Sequence, residues 1–248
     1  MNRIVLEICC GSADDCVEAA RGGADRVELN SALFLGGLTP TAGTLRAARA
    51  ECGIPIMAMI RPRAGGFCYT AREFAAMEAD ARELMELGAD GIVFGCLNDD
   101  GTPDMARNAR LARMARDMGR QAVFHRAIDV VPDWRAALDA LVDAGFDRVL
   151  TSGQMPSAPL GLDVIAEMVA YARGRIEILP GAGINQRNIR SVLSATGCTQ
   201  AHMSAKASRP DGSCAGNAAI HFGGALYPPE DSFDMVDCAR VSDIRSRI

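Results

Sequence analysis

Gly23-Ala24-Asp25-Arg26-Val27-Glu28-Leu29, Gly88-Ala89-Asp90-Gly91-Ile92-Val93-Phe94 and Gly145-Phe146-Asp147-Arg148-Val149-Leu150-Thr151 are three copies of one pattern, and they decide the fold. In each, a helical stretch closes on a Gly, which takes the left-handed conformation that ends a helix without a Cβ clash. A short apolar strand follows at once. The pattern is therefore the helix-to-strand corner of a βα unit. Successive copies lie 65 and 57 residues apart, about two βα units each, so further strands are expected between them.

Runs rich in Val, Ile and Leu supply those strands: Ile4 to Cys9, Arg26 to Leu29, Ile54 to Ile60, Gly91 to Gly95, Gln121 to His125, Arg148 to Thr151, Arg175 to Leu179 and Thr199 to Ser204. Helical patterns such as Glu73 to Leu87 and Trp134 to Ala144 separate them. Strands alternating with helices predict a parallel sheet, and a chain of 248 residues fits one TIM-type (β/α)8 barrel forming a single domain over residues 1–248. An open doubly wound sheet is the competing arrangement. It is disfavoured because Cys9-Cys10-Gly11-Ser12, after the first strand, is not the Gly-x-Gly-x-x-Gly fingerprint such folds carry. After the eighth strand, residues 206–234 are rich in Gly, Pro, Ser and Asn and read as one long irregular loop before a last helix around Val241 to Ile248.

Hydrophobic residues make up 49% of the chain and charged residues 23%, ordinary values for an enzyme-sized globular domain. No apolar run is long enough to span a bilayer, and the first strand begins without a signal peptide, so a cytoplasmic location is expected. A net charge of −5 argues against nucleic acid or an anionic membrane as partner. The nine cysteines are expected to be reduced thiols in that compartment. What remains is a small-molecule or metal-ion ligand.

Barrels keep their chemistry at the C-terminal ends of the strands. Glu7 and Glu28, charged residues within buried strands, are candidates for proton transfer, and Arg61 and Arg63 at the end of the third strand for binding substrate charge. Two acids beside two guanidinium groups can equally be an ionic layer that only fills the barrel. His125, followed by Arg126 and Asp129, is the best single candidate for an acid or base, since imidazole titrates near neutral pH. His202 and His221 are the other two histidines, and the first also falls in a strand. Ser152, Gly181, Gly183 and Ser204 follow the later strands, where barrels often hold a phosphate. Together these residues suit an isomerase, lyase or aldolase-like enzyme acting on a small anionic or sugar-like substrate. A Schiff-base mechanism is disfavoured, because the single lysine, Lys206, lies beyond the last strand. Cysteine offers another class of function: Cys9 and Cys10 end the first strand, Cys96 follows the fourth, and thiolates suit Cu(I). No Cys-x-x-Cys occurs, however, and adjacent strand residues point to opposite faces, so Cys9 and Cys10 should not easily share an ion.

Leu6-Glu7-Ile8-Cys9, Gly22-Gly23-Ala24-Asp25-Arg26-Val27-Glu28-Leu29, Gly36-Gly37-Leu38-Thr39-Pro40, Met59-Ile60-Arg61-Pro62-Arg63, Phe124-His125-Arg126-Ala127, Leu150-Thr151-Ser152-Gly153-Gln154 and Gly181-Ala182-Gly183-Ile184 come in an order that resembles the CutC copper homeostasis protein family. The resemblance runs from about Leu6 to Ala205. It implies a cytoplasmic TIM-type barrel, often a homo-oligomer, associated with copper tolerance and Cu(I) binding. Of the family's proposed copper ligands, the Cys ending the first strand corresponds to Cys9. The Cys after the Glu-Leu of the second strand corresponds to Asn30, so a second thiolate would have to come from Cys10, Cys68 or Cys96. Asp129 matches the family's pattern, whereas Gly11 stands where the family usually has Asp.

Overall fold

The corners of the repeated pattern do more than turn the chain. In the computed structural model, which describes residues 3–217, 219–220, 222 and 230–248, Gly23, Gly88 and Gly145 take φ values of 90°, 103° and 83°. The Asp two residues later then forms a reciprocal pair with the preceding strand. The amide of Leu6 donates to Asp25 Oδ2 at 2.8 Å and the amide of Asp25 to the Leu6 carbonyl at 2.9 Å. Asp90 pairs with Ile56 in the same way, and Asp147 with Ala122. The second, fourth and sixth strands are each pinned at their start to the strand before them.

The elements run β1 (Val5–Cys10), α1 (Ala13–Arg21), β2 (Arg26–Leu29), α2 (Ala42–Glu51), β3 (Ile56–Met59), α3 (Ala71–Glu86), β4 (Gly91–Phe94), α4 (Met105–Asp117), β5 (Gln121–Phe124), α5 (Trp134–Ala144), β6 (Arg148–Thr151), α6 (Leu162–Ala172), β7 (Glu177–Pro180), α7 (Ile189–Thr196) and β8 (Gln200–Met203). The ladder is parallel, in the order β7-β6-β5-β4-β3-β2-β1-β8, and β7 also lies against β8, so the barrel is nearly closed. Strands that neighbour one another in chain order all round exclude the doubly wound alternative, whose order reverses at a switch point. The third strand is shorter than expected because Pro55, which has no N–H, precedes it, and the ladder starts at Ile56.

Alternation along each strand divides the core. Leu6, Ile8, Cys10, Val27, Leu29, Ile92 and Phe94 face outward into the apolar layer beneath the helices. Met57, Met59, Val93 and Val123 form a small separate apolar cluster. At the start of the barrel, Arg26, Gln121, Arg148, Glu177 and Gln200 are the first residues of their strands and make a polar layer with Glu7.

The stretch expected to be irregular between residues 206 and 234 departs from that reading at both ends. Its first residues form β9 (Lys206–Pro210) and its last ones belong to β10 (Ser232–Val236), an antiparallel ribbon. The ribbon is tied to α1, where the Val236 amide donates to buried Asp15 at 2.7 Å. Strands of five residues set in a Gly-, Pro- and Ser-rich stretch give too short a pattern for sequence periodicity to reveal them. The chain ends in α8 (Cys238–Arg245), which begins earlier than expected because Asp237 caps it. Part of the stretch, and His221, lie outside the described residues.

Candidate functional site

The C-terminal ends of the strands surround a cavity of about 280 Å³ lined by Cys9, Glu28, Arg61, His125, Arg126 and His202, with Leu33, Met59, Phe67 and Leu150 as its apolar walls. Cys9 and Glu28 are register partners on β1 and β2. Their side chains point inward because they fall on the opposite parity from Ile8 and Val27. A second hollow beside it, of about 380 Å³, shares Cys9 and His202 and continues to Gly183, Ser204 and Lys206.

Glu7 lies one inward position below Cys9, so it is not a free acid at the mouth, as its position in the sequence suggested. It is ion-paired to Arg26, and its other oxygen bonds His202 Nδ1 at 2.8 Å. Burial would raise its pKa, but Arg26, the hydrogen bond from His202 and the charge of Arg148 together hold it well below the usual carboxylate range. Glu7 therefore orients His202 rather than exchanging protons with a substrate. With Nδ1 taken, Nε2 is the ring nitrogen left for the other neighbours. Ligand atoms of Cys9, Glu28 and His202 all lie within 4.8 Å of one another. Burial alone would lower the pKa of His202, yet the charge of Glu28 and the bonds to Cys9 and Glu7 outweigh it and hold the imidazole well above its ordinary value. Burial pushes the Cys9 thiol up, and it raises the Glu28 carboxyl as well. Asn30 links the two, its amide donating to Glu28 Oε1 at 3.0 Å and toward Cys9 Sγ at 3.6 Å.

Across the cavity, His125 is buried against Phe67, with ring centroids 4.6 Å apart. Its Nδ1 accepts from the Ala127 amide at 3.2 Å, which leaves the proton of the neutral ring on Nε2. Burial first, and then the charge of Arg61, lower its pKa to about 3. This imidazole is thus a neutral hydrogen-bond donor at physiological pH. Arg61 is also buried. Its guanidinium donates to the carbonyls of Leu35, Gly37 and Gly65 at 3.0, 3.1 and 2.7 Å and stands over Phe67.

Other sequence candidates have structural duties. Asp129, expected to be catalytic, accepts from Thr151 Oγ1, from the backbone and hydroxyl of Ser152, from the Gln154 amide and from Arg126, and so ties β6 to the turn after β5. Both of its oxygens are engaged in these bonds. Arg126 lines the cavity but is held by Asp129 and by Ser152 Oγ at 2.6 Å. Arg63 turns away to Glu73 and to the carbonyls of Ala64, Gly66 and Cys68. Gly181 is required by packing, because a Cβ there would meet Leu150 at 2.7 Å and His202 at 3.2 Å. Gly183 and Ser204 reach only the second hollow. Cys10 and Cys96 are buried and Cys68 is exposed, and none of them joins Cys9. Sequence reasoning missed the loop after β2, whose Leu33 and Gly36 line the cavity and whose carbonyls hold Arg61. The Gly36-Gly37 pair was its signal: both residues have positive φ, and Asn30 packs where a Cβ on Gly37 would stand.

A family model described as the CutC family matches residues 4–207. The chain is 52% identical over 235 residues to a CutC family protein of Treponema denticola, covering 95% of each. It is 41% identical over 245 residues to the human copper homeostasis protein cutC homolog, covering 99% of this chain and 89% of the human one. Among solved structures, the copper homeostasis protein CutC of Streptococcus agalactiae superimposes with a TM-score of 0.76 at 34% identity, covering 81% of this chain and 98% of that one.

Proposed function

The chain belongs to the CutC family, and from that premise we propose that it is a copper-handling protein which takes Cu(I) between Cys9 and His202 at the barrel mouth. The observation that carries this reading is the convergence of Cys9, Glu28 and His202 within 4.8 Å, with His202 Nδ1 already bonded to Glu7. A thiolate and an imidazole are both acceptable donors to a soft monovalent ion. A carboxylate on the far nitrogen is the support that metal-binding histidines commonly have. Glu28 is a hard oxygen donor bonded to Asn30, and in this reading it takes up positive charge from its neighbours rather than serving as a ligand.

Burial raises the Cys9 pKa, and the balance of its surroundings raises that of His202, so both groups carry protons that Cu(I) must displace. Affinity therefore rises with pH. The cytoplasm suits the reading, since it keeps thiols reduced and all nine cysteines are unpaired. No helix among the described residues is long and apolar enough to cross a membrane. The ion is cargo held by this chain's residues.

An anaerobic competition titration of the reduced protein against a Cu(I) chelator tests the reading. One ion should bind per chain, with loss in Cys9→Ser and in His202→Asn and weakening as the pH falls from about 8 to about 6. Failure of the wild-type protein to compete, or full affinity in Cys9→Ser, rejects it.

A further inference from the structure

Two residues that line the cavity each carry a buried donor without a partner in the protein, His125 Nε2 and Arg61 Nε, and Asn30 Oδ1 is an unpartnered acceptor on a third. Both residues are more than nine-tenths buried, at 3% and 7% exposure. Arg61 is the more telling of the two. Its bonds go to three neutral carbonyls, and it forms no ion pair with an Asp or Glu among the described residues. The Tyr69 hydroxyl lies beside it, outside hydrogen-bonding geometry. A buried cation without a counter-ion, packed on the same Phe67 ring as a buried N–H without an acceptor, is costly unless something else supplies the charge and the lone pairs.

We propose that this cavity is a binding site for a small organic monocarboxylate, whose two oxygens accept from His125 Nε2–H and Arg61 Nε–H while its apolar body lies against Leu33, Met59, Phe67 and Leu150. Two donors match the two oxygens of one carboxylate. A phosphate is disfavoured, because it brings more oxygens than the two unpartnered donors can satisfy. The volume of about 280 Å³ suits a metabolite rather than a nucleotide or a polymer end. The inference does not depend on copper, since neither donor is a ligand to the ion.

The variant that isolates the site is His125→Asn. The Asn oxygen can still accept from the Ala127 amide as Nδ1 does, but nothing replaces Nε2–H. Leu150→Phe narrows the cavity while leaving both donors in place. Calorimetric titrations at neutral pH, with a copper chelator present, would use benzoate and pyruvate as carboxylates, benzamide as the neutral isostere and orthophosphate as the other anion. A carboxylate should bind one to one with Kd below about 1 mM, benzamide and orthophosphate should not bind, and each variant should weaken binding at least about tenfold. The proposal is overturned if neither carboxylate binds the wild-type protein, if benzamide binds as well as benzoate, if orthophosphate binds more tightly, or if Leu150→Phe and His125→Asn both keep full affinity. None of these outcomes bears on Cu(I) binding, which the chelator competition reads separately.

Discussion

The two ends of the barrel interior hold similar residues in opposite states. At the start of the strands, Arg26 and Arg148 face Glu7 and Glu177, and Gln200 bridges the two arginines through its side-chain oxygen. Charge balances there, and only Arg148 Nη1 is left over. At the strand ends, Arg61 and His125 keep donors that no protein group accepts, and Cys9, Glu28 and His202 converge within 4.8 Å of one another. The first arrangement closes on itself, and the second leaves donors open. Residue type does not distinguish them, because both ends use Glu and Arg. What distinguishes them is whether the hydrogen-bonding capacity closes on itself.

If the lower layer is structural, breaking it should have the largest effect. Arg26→Met leaves Glu7 buried without its main partner and should cost about 3–5 kcal/mol in urea unfolding at neutral pH. A loss under about 1 kcal/mol would dissolve the contrast between the two ends.

Acid provides the next test, directed at the upper end. His125 has its pKa lowered to about 3 in the folded protein, so from about pH 6.5 downward the unfolded chain binds a proton that the folded one refuses. Its contribution is present above the unfolded pKa and is lost as the pH falls toward the folded one. Wild-type stability should therefore decline more steeply than that of His125→Asn between about pH 6 and pH 4, by up to about 1.4 kcal/mol per pH unit. Parallel curves would mean that the ring titrates normally.

Smaller effects sharpen the picture. Asp90→Ala removes the acceptor for the Ile56 amide at one repeated corner and should cost about 1–3 kcal/mol without affecting any ligand. Asn30→Cys places a second thiol beside Cys9 and should strengthen Cu(I) binding by at least about tenfold in the chelator competition. Unchanged affinity would show that position 30 does not reach the ion. At neutral pH, His125→Asn should change unfolding stability by less than about 1 kcal/mol, because the site it alters is not part of the packing economy of the lower layer.

Much of the barrel was legible in the chain because its causes are local. The Gly-x-Asp corners, the alternation of short apolar runs with helical ones and the chain length each follow from backbone geometry within a few residues. The ribbon of β9 and β10 was not legible, since its pairing joins residues 206 and 236 across a stretch rich in Gly, Pro, Ser and Asn, and each strand is only five residues long. The site was legible in part. Cys9, Glu28, Arg61, His125 and His202 do meet in one cavity. Glu7 and Asp129 are engaged by Arg26, His202, Thr151 and Ser152, partners 19 or more residues away that the local sequence does not reveal, and Arg63 is taken up by Glu73 and the carbonyls of its own loop.

By itself, the sequence determined the order of elements, the parity that sends Glu7, Cys9 and Glu28 inward, and membership of the CutC family. Only the tertiary structure decided which of the inward groups are satisfied. Hydrogen-bond closure depends on partners such as Glu7 and His202, 195 residues apart, and on the loop carbonyls of Leu35, Gly37 and Gly65 that surround Arg61. Saturation is a property of three-dimensional neighbours, and no local pattern in the chain encodes it.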